Sequence, residues 1–177
     1  MSRLSVIAAA LTLSASPAAA QEAFVGVYVH AVDTPFTLPT GEGGADVEVG
    51  YRFDRQRVLA LVGKPAPYII ASLNTGGGTS FAGGGLSWKL GGGPVYVRPA
   101  VGLIVHDGPR RRVAPNGDRT DLGSRVLFEP EIALGARLSD TLSIEAGWVH
   151  VSHARLFNSR QNPGIDMMGV RLAFAMR

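Results

Sequence analysis

The stretch Leu142-Ser-Ile-Glu-Ala-Gly-Trp-Val-His-Val-Ser-His153 decides the architecture. Its even positions begin Leu142, Ile144, Ala146 and Trp148, all apolar; its odd positions begin Ser143, Glu145 and Gly147. Successive side chains of a strand point to opposite faces, so the segment reads as a strand with one apolar and one polar face. The alternation recurs along the chain, over residues 24–32, 45–53, 80–90, 95–106, 125–137 and 165–176, and least clearly over 68–73. With 142–153 this makes eight strands, and no segment after residue 21 keeps a long helical period. An abundance of Gly (23) and Pro (11) suits turns and curved strands better than helices.

Alternation alone fits a soluble sandwich with its apolar face inward or a membrane barrel with that face outward. The charges separate the two. The polar faces carry Asp46, Glu48, Glu129, Glu131 and Glu145 against Arg52, Lys89, Arg98, Arg125, Arg137 and Arg171, interspersed with Gly. A narrow eight-stranded barrel needs an interior of mutually paired side chains with room for the long ones. The expectation is therefore an all-β chain forming an eight-stranded antiparallel up-and-down transmembrane β-barrel, with a soluble periplasmic β-protein as the rival. The closing Phe174-Ala-Met-Arg177 favours the rival mildly, because such barrels often end on an aromatic residue. Pro99 and Pro130 predict a bulge or a broken pairing, since proline cannot donate to a ladder.

Connection lengths agree. Turns near 90–94 and 138–141 are short, while those near 34–44, 106–123 and 154–164 are long, as in barrels with short periplasmic turns and long external loops. The connection 54–67 breaks that pattern by being long. At the start, Arg3, an apolar run over 4–13 and Ala18-Ala19-Ala20 before Gln21 read as an export signal over residues 1–20, leaving 21–177 as one barrel domain. The chain has no cysteine, so neither a disulfide framework nor a Cys-ligated metal enters. A formal charge of +3 gives no reason to expect nucleic acid. The glycine runs 76–78, 83–85 and 91–93 precede no Gly-Lys-Ser/Thr helix start, so they read as turns and curved strand, not phosphate cradles.

The apolar row of 142–153 ends in His150 and Ser152, and the apolar row of 165–176 is headed by Asp166. Residues i and i+2 share a strand face, so imidazole and hydroxyl stand together. A hairpin centred on Asn158 puts His150 opposite Asp166, where Cβ atoms are about 4.5–5.5 Å apart. Acid, imidazole and hydroxyl in a row are the parts of a serine hydrolase: Asp166 orients, His150 takes the proton, Ser152 attacks. The plainer reading has Ser and His marking the headgroup zone and Asp166 capping a turn after glycine. A metal pair is disfavoured, because His150 and His153, three apart, face opposite ways in a strand.

His150-Val-Ser152 followed by Asn162-Pro-Gly-Ile-Asp166 resembles the PagL-type lipid A 3-O-deacylases, tightly over residues 145–170 and loosely over the rest of the mature chain. The resemblance implies an eight-stranded outer-membrane barrel that hydrolyses the ester at position 3 of lipid A and releases a 3-hydroxyacyl chain. It also implies a metal-free, cofactor-free site on the outer wall in the outer leaflet. The family's His-x-Ser maps onto His150 and Ser152, and its acid, usually glutamate, onto Asp166. Where members commonly carry Asn after the serine, this chain has His153, so the oxyanion donors fall to backbone N–H groups after Ser152, that of His153 first, or to the Asn162 amide. Trp148 is expected as an interfacial anchor more than a substrate contact. Arg110, Arg111 and Arg112 are candidates for lipid A phosphates, with a solvated loop as the equal alternative. The partners expected are lipid A, lipopolysaccharide or a similar glycolipid and the outer membrane, with a homodimer left open. The rival function is a non-catalytic structural or adhesive barrel of the same shape.

Overall fold

The computed structural model describes residues 21–109, 121–156 and 162–176. The candidate signal over 1–20 and Arg110, Arg111 and Arg112 lie outside the described residues. Eight strands follow in order: β1 Glu22–Val29, β2 Ala45–Arg52, β3 Ala66–Asn74, β4 Phe81–Ser87, β5 Val95–His106, β6 Val126–Arg137, β7 Leu142–Val151 and β8 Ile165–Ala175. Each pairs antiparallel with the next, and β8 returns to β1, so the sheet closes into an up-and-down barrel. Closure satisfies every strand edge, the condition for a sheet to cross a bilayer. Strands of 7 to 12 residues match the roughly 9–11 that a tilted strand needs to span hydrocarbon.

The faces sort as the alternation requires. Val25, Val27, Val47, Val49, Ile69, Val101, Leu103, Leu134, Val170 and Leu172 are exposed on the outer wall. Inside, one network gathers at the level of Glu145. Arg52 Nη2 lies 2.9 Å and Arg98 Nε 2.7 Å from its two oxygens, and the Tyr96 hydroxyl donates at 2.8 Å. Glu22 takes a second bond from each guanidinium and one from Lys89. Deeper in, Arg171 binds Glu131 through two nitrogens at 2.8 and 3.0 Å and reaches Glu48 at 2.8 Å. Glycines make the space: a Cβ on Gly135 would stand 2.2 Å from the Tyr96 ring, and one on Gly50 2.1 Å from the Phe24 ring. Arg137 was expected in this interior, but it is exposed at the end of β6, beyond the last level of the network.

Strand ends depart from the sequence reading for local reasons. β1 stops at Val29, because Ala31 takes a left-handed φ of 53° and the Val32 N–H turns to the Asp166 carbonyl at 2.8 Å. β4 stops at Ser87: Trp88 N–H reaches the Pro99 carbonyl, but Pro99 returns no N–H, and pairing resumes only at Leu90↔Val97. The long connection after β2 contains a 3-10 helix, Arg57–Val62, which ends on Gly63 in the left-handed region. That connection lies at the end of the barrel holding the start of β1 and the end of β8. Strands β1, β5 and β7 end, and β2, β6 and β8 begin, at the opposite end, the outward end by the usual asymmetry of such barrels.

Candidate active site

At the loop-rich end, β7 and β8 pair with His150 directly opposite Asp166. His150 is half-buried on the outer wall, in the same row as Trp148 and Ile144. Its Nδ1 lies 2.6 Å from Asp166 Oδ1 and its Nε2 lies 2.9 Å from Ser152 Oγ. The structure thus brings the three sequence-derived residues into one chain of hydrogen bonds. Asp166 is fully buried and Ser152 nearly so, while the imidazole between them keeps 14% of its side-chain surface. A carboxylate, an imidazole and a hydroxyl in this order within hydrogen-bond reach is an arrangement able to activate a serine hydroxyl.

Backbone anchors hold each member. Ser152 exchanges both backbone hydrogen bonds with Phe128, at 2.7 and 3.1 Å, although β7 proper ends one residue earlier. Gly164 turns the chain into β8 at φ +68°, and a Cβ there would lie 3.1 Å from His150 Cε1, so the position needs glycine for its dihedral and its closeness to the imidazole.

The oxyanion candidates are disposed differently from one another. His153 points its side chain inward, fully buried, and its backbone N–H donates to Asn162 Oδ1 at 3.0 Å. That N–H is therefore committed in this structure. Asn162, with its carbonyl end so engaged, has its NH2 end as the remaining donor. No group of three or more His, Asp or Glu side chains suited to a metal ion occurs among the described residues.

Three features were not legible in the sequence. Thr34 donates its hydroxyl to Asp166 Oδ2, and Phe36 lays its ring 5.6 Å from that of Trp148. Both come from the β1–β2 segment, and no local pattern signals that it folds back here. Trp148 itself stands 6.1 Å from the His150 ring, centroid to centroid, and its indole N–H has no acceptor among the described residues. Below it, a shallow groove on the outer wall is lined by Val97, Ile132, Leu134, Ala146, Trp148 and Met168.

The comparisons with known proteins bear on the family and the fold. The family model described as lipid A 3-O-deacylase (PagL) matches residues 45–175. The chain belongs to that family. The match takes in β2 to β8, and with them His150, Ser152 and Asp166. Among solved structures, the crystal structure of the outer membrane enzyme PagL superposes with a TM-score of 0.60 at 17% identity, covering 86% of this chain and 99% of that one. A de novo designed transmembrane β-barrel reaches 0.52 at 13% identity, covering 91% and 98%. At such identities the superpositions speak for the fold alone: a closed eight-stranded β-barrel. No curated protein sequence matches significantly.

Proposed function

We propose that this barrel is an outer-membrane carboxylic ester hydrolase that removes the 3-O-linked 3-hydroxyacyl chain of lipid A or a closely related acylated glycolipid. Family membership supports the substrate class. The observation that carries the chemistry is the continuous Asp166–His150–Ser152 hydrogen-bond chain on the wall that faces lipid.

In this reading Ser152 Oγ attacks the ester carbonyl and His150 Nε2 takes its proton. Asp166 Oδ1 accepts from Nδ1–H and steadies the imidazolium. The NH2 end of Asn162 is the donor assigned to the oxyanion, the His153 N–H being engaged. Collapse expels the sugar hydroxyl, protonated by His150, and leaves the acyl chain on Ser152. A water activated by the same imidazole then releases the 3-hydroxy fatty acid. The groove under Trp148 is the natural bed for the acyl chain: it is apolar, opens sideways and begins beside the imidazole. A substrate that is itself a membrane lipid reaches such a site without leaving its leaflet. Arg110, Arg111 and Arg112 are assigned to the lipid A phosphates on charge alone. Residues 1–20 are assigned to export, so the mature protein should begin at Gln21.

The test is mass spectrometry of lipid A before and after incubation with the detergent-solubilised protein. Wild type is expected to remove one 3-hydroxyacyl group, and Ser152→Ala to leave lipid A intact. Equal release by both proteins would end the assignment.

A further inference from the structure

Asp166 has two carboxylate oxygens, and His150 uses one of them. The other, Oδ2, accepts the hydroxyl of Thr34, which lies 132 positions earlier in the chain. Aspartate has a single methylene between backbone and carboxylate, so in a fixed strand it cannot swing to seek a second donor. The donor must be brought to it. The β1–β2 segment does this through backbone bonds: Val32 N–H donates to the Asp166 carbonyl at 2.8 Å, and Leu38 N–H to the Pro163 carbonyl at 2.9 Å. Thr34 lies between these two fastenings. Its hydroxyl oxygen in turn accepts the Phe36 N–H at 3.1 Å, which directs the hydroxyl proton toward Asp166. A fully buried carboxylate with an unfilled oxygen would carry a heavy desolvation cost and would be free to rotate about its last bond.

We infer that Thr34 is a positioning residue of the hydrolytic site: it fixes the Asp166 carboxylate so that Oδ1 stays aimed at His150 Nδ1. The inference rests on reading Ser152, His150 and Asp166 as the hydrolytic triad. It makes the 33–38 strap part of the active centre and not a surface loop that happens to lie nearby.

The experiment follows the labelling of Ser152 in the full-length, detergent-solubilised protein by a lipophilic fluorophosphonate. Ser152 Oγ bonds to phosphorus, the P–F bond breaks, fluoride leaves, and the hydroxyl proton passes to His150. Rates are taken per folded molecule, counted by the heat-dependent gel shift of barrels, and kcat and KM on lipid A are measured alongside. Thr34→Val, which keeps the shape and loses the hydroxyl, is expected to slow labelling and kcat together by about 10- to 100-fold, the range for one charge-assisted hydrogen bond. KM should stay within about twofold, and Thr34→Ser should recover the rate to within about threefold. A strap that merely pins a loop would change KM or the folded fraction and leave kcat alone. Labelling of Thr34→Val at the wild-type rate, or of Thr34→Ser as slowly as Thr34→Val, overturns the inference. Should Thr34→Val not fold, Thr34→Ala is read against the same two outcomes. A wild type that labels in a Thr34-dependent way but cleaves no lipid A refutes the substrate and upholds Thr34. A wild type that does not label at all removes both.

Discussion

Pro130 stands across from His150 at the step where the β6–β7 ladder lapses. Regular pairing ends at Glu131↔Val149 and reappears three residues on as the single bridge Phe128↔Ser152, in the same register. Proline supplies no N–H, so the His150 carbonyl receives no ladder bond from β6. The base of the proposed triad therefore sits at a gap in its own sheet, while the nucleophile just beyond is fastened on both sides.

Pro130→Ala tests what the gap is worth. A restored backbone hydrogen bond contributes about 1 kcal/mol, and losing proline's restriction of the unfolded chain costs about 0.4–1 kcal/mol. The two nearly cancel, so the unfolding free energy in urea is expected to move by less than about 1 kcal/mol. A gain well beyond that would show the proline holding strained backbone at His150.

Gly164→Ala should damage both folding and turnover. A left-handed dihedral costs a non-glycine residue about 1–2 kcal/mol, and the new methyl meets the imidazole edge at 3.1 Å. The imidazole must shift, and small misplacements of a base cost about 10- to 100-fold. The expectation is a loss of about 1–2 kcal/mol in urea unfolding, with kcat per folded molecule lower by at least about tenfold. A stable, fully active Gly164→Ala would contradict the close approach described here.

Ala146→Phe is expected to separate acyl length from chemistry. Ala146 lies exposed on the outer wall between Leu134 and Val170, in the bed of the groove below Trp148. A ring there faces lipid and should leave folding unchanged. It should lower kcat/KM for long-chain esters by about tenfold, since pocket contacts worth a few methylenes discriminate by that order, and spare short-chain esters. Equal effects on both chain lengths would place the acyl group elsewhere.

Much of this arrangement was readable from residue parity. Because the period of a strand is two, assigning one face of 142–153 assigned all of it, and His150 opposite Asp166 followed from the hairpin centre alone. β5 runs over the expected residues because its apolar row of Val95, Val97, Val101, Leu103 and Val105 keeps a period of two on both sides of Pro99. The prolines announced their interruptions, though not that one would fall beside His150. Thr34 and Phe36 were invisible for a different reason. Their contacts depend on a loop folding over the outer wall, and nothing in the order Asp33-Thr34-Pro35-Phe36 marks which wall it will cover. Contacts between segments so distant in sequence have no local signature, whereas neighbours in a hairpin do.

His30, just past the end of β1, gives a pH dependence with a definite sign. Nδ1 lies 2.7 Å from Asp46 Oδ2 and Nε2 3.0 Å from Glu42 Oε2; Glu42 also accepts the Thr79 hydroxyl at 2.9 Å, and Asp46 the Asn74 amide at 2.9 Å. Burial alone would depress the imidazolium, but hydrogen bonds to the two carboxylates outweigh it and push its pKa from 6.5 up to about 9. A group whose pKa is raised by folding binds its proton more tightly in the folded state. Its stabilisation is therefore complete below pH 6.5 and is lost as pH rises through about 9. The shift corresponds to about 3 kcal/mol at most. Because the clasp fastens the same β1–β2 segment that delivers Thr34 to Asp166, its release should loosen the site as well as the barrel mouth. Urea unfolding between pH 6 and pH 10 is expected to show wild type losing stability toward alkaline pH, and His30→Gln, weaker at neutral pH, losing far less over the same interval. Parallel curves for the two proteins would mean that the imidazole is not charged in the folded barrel.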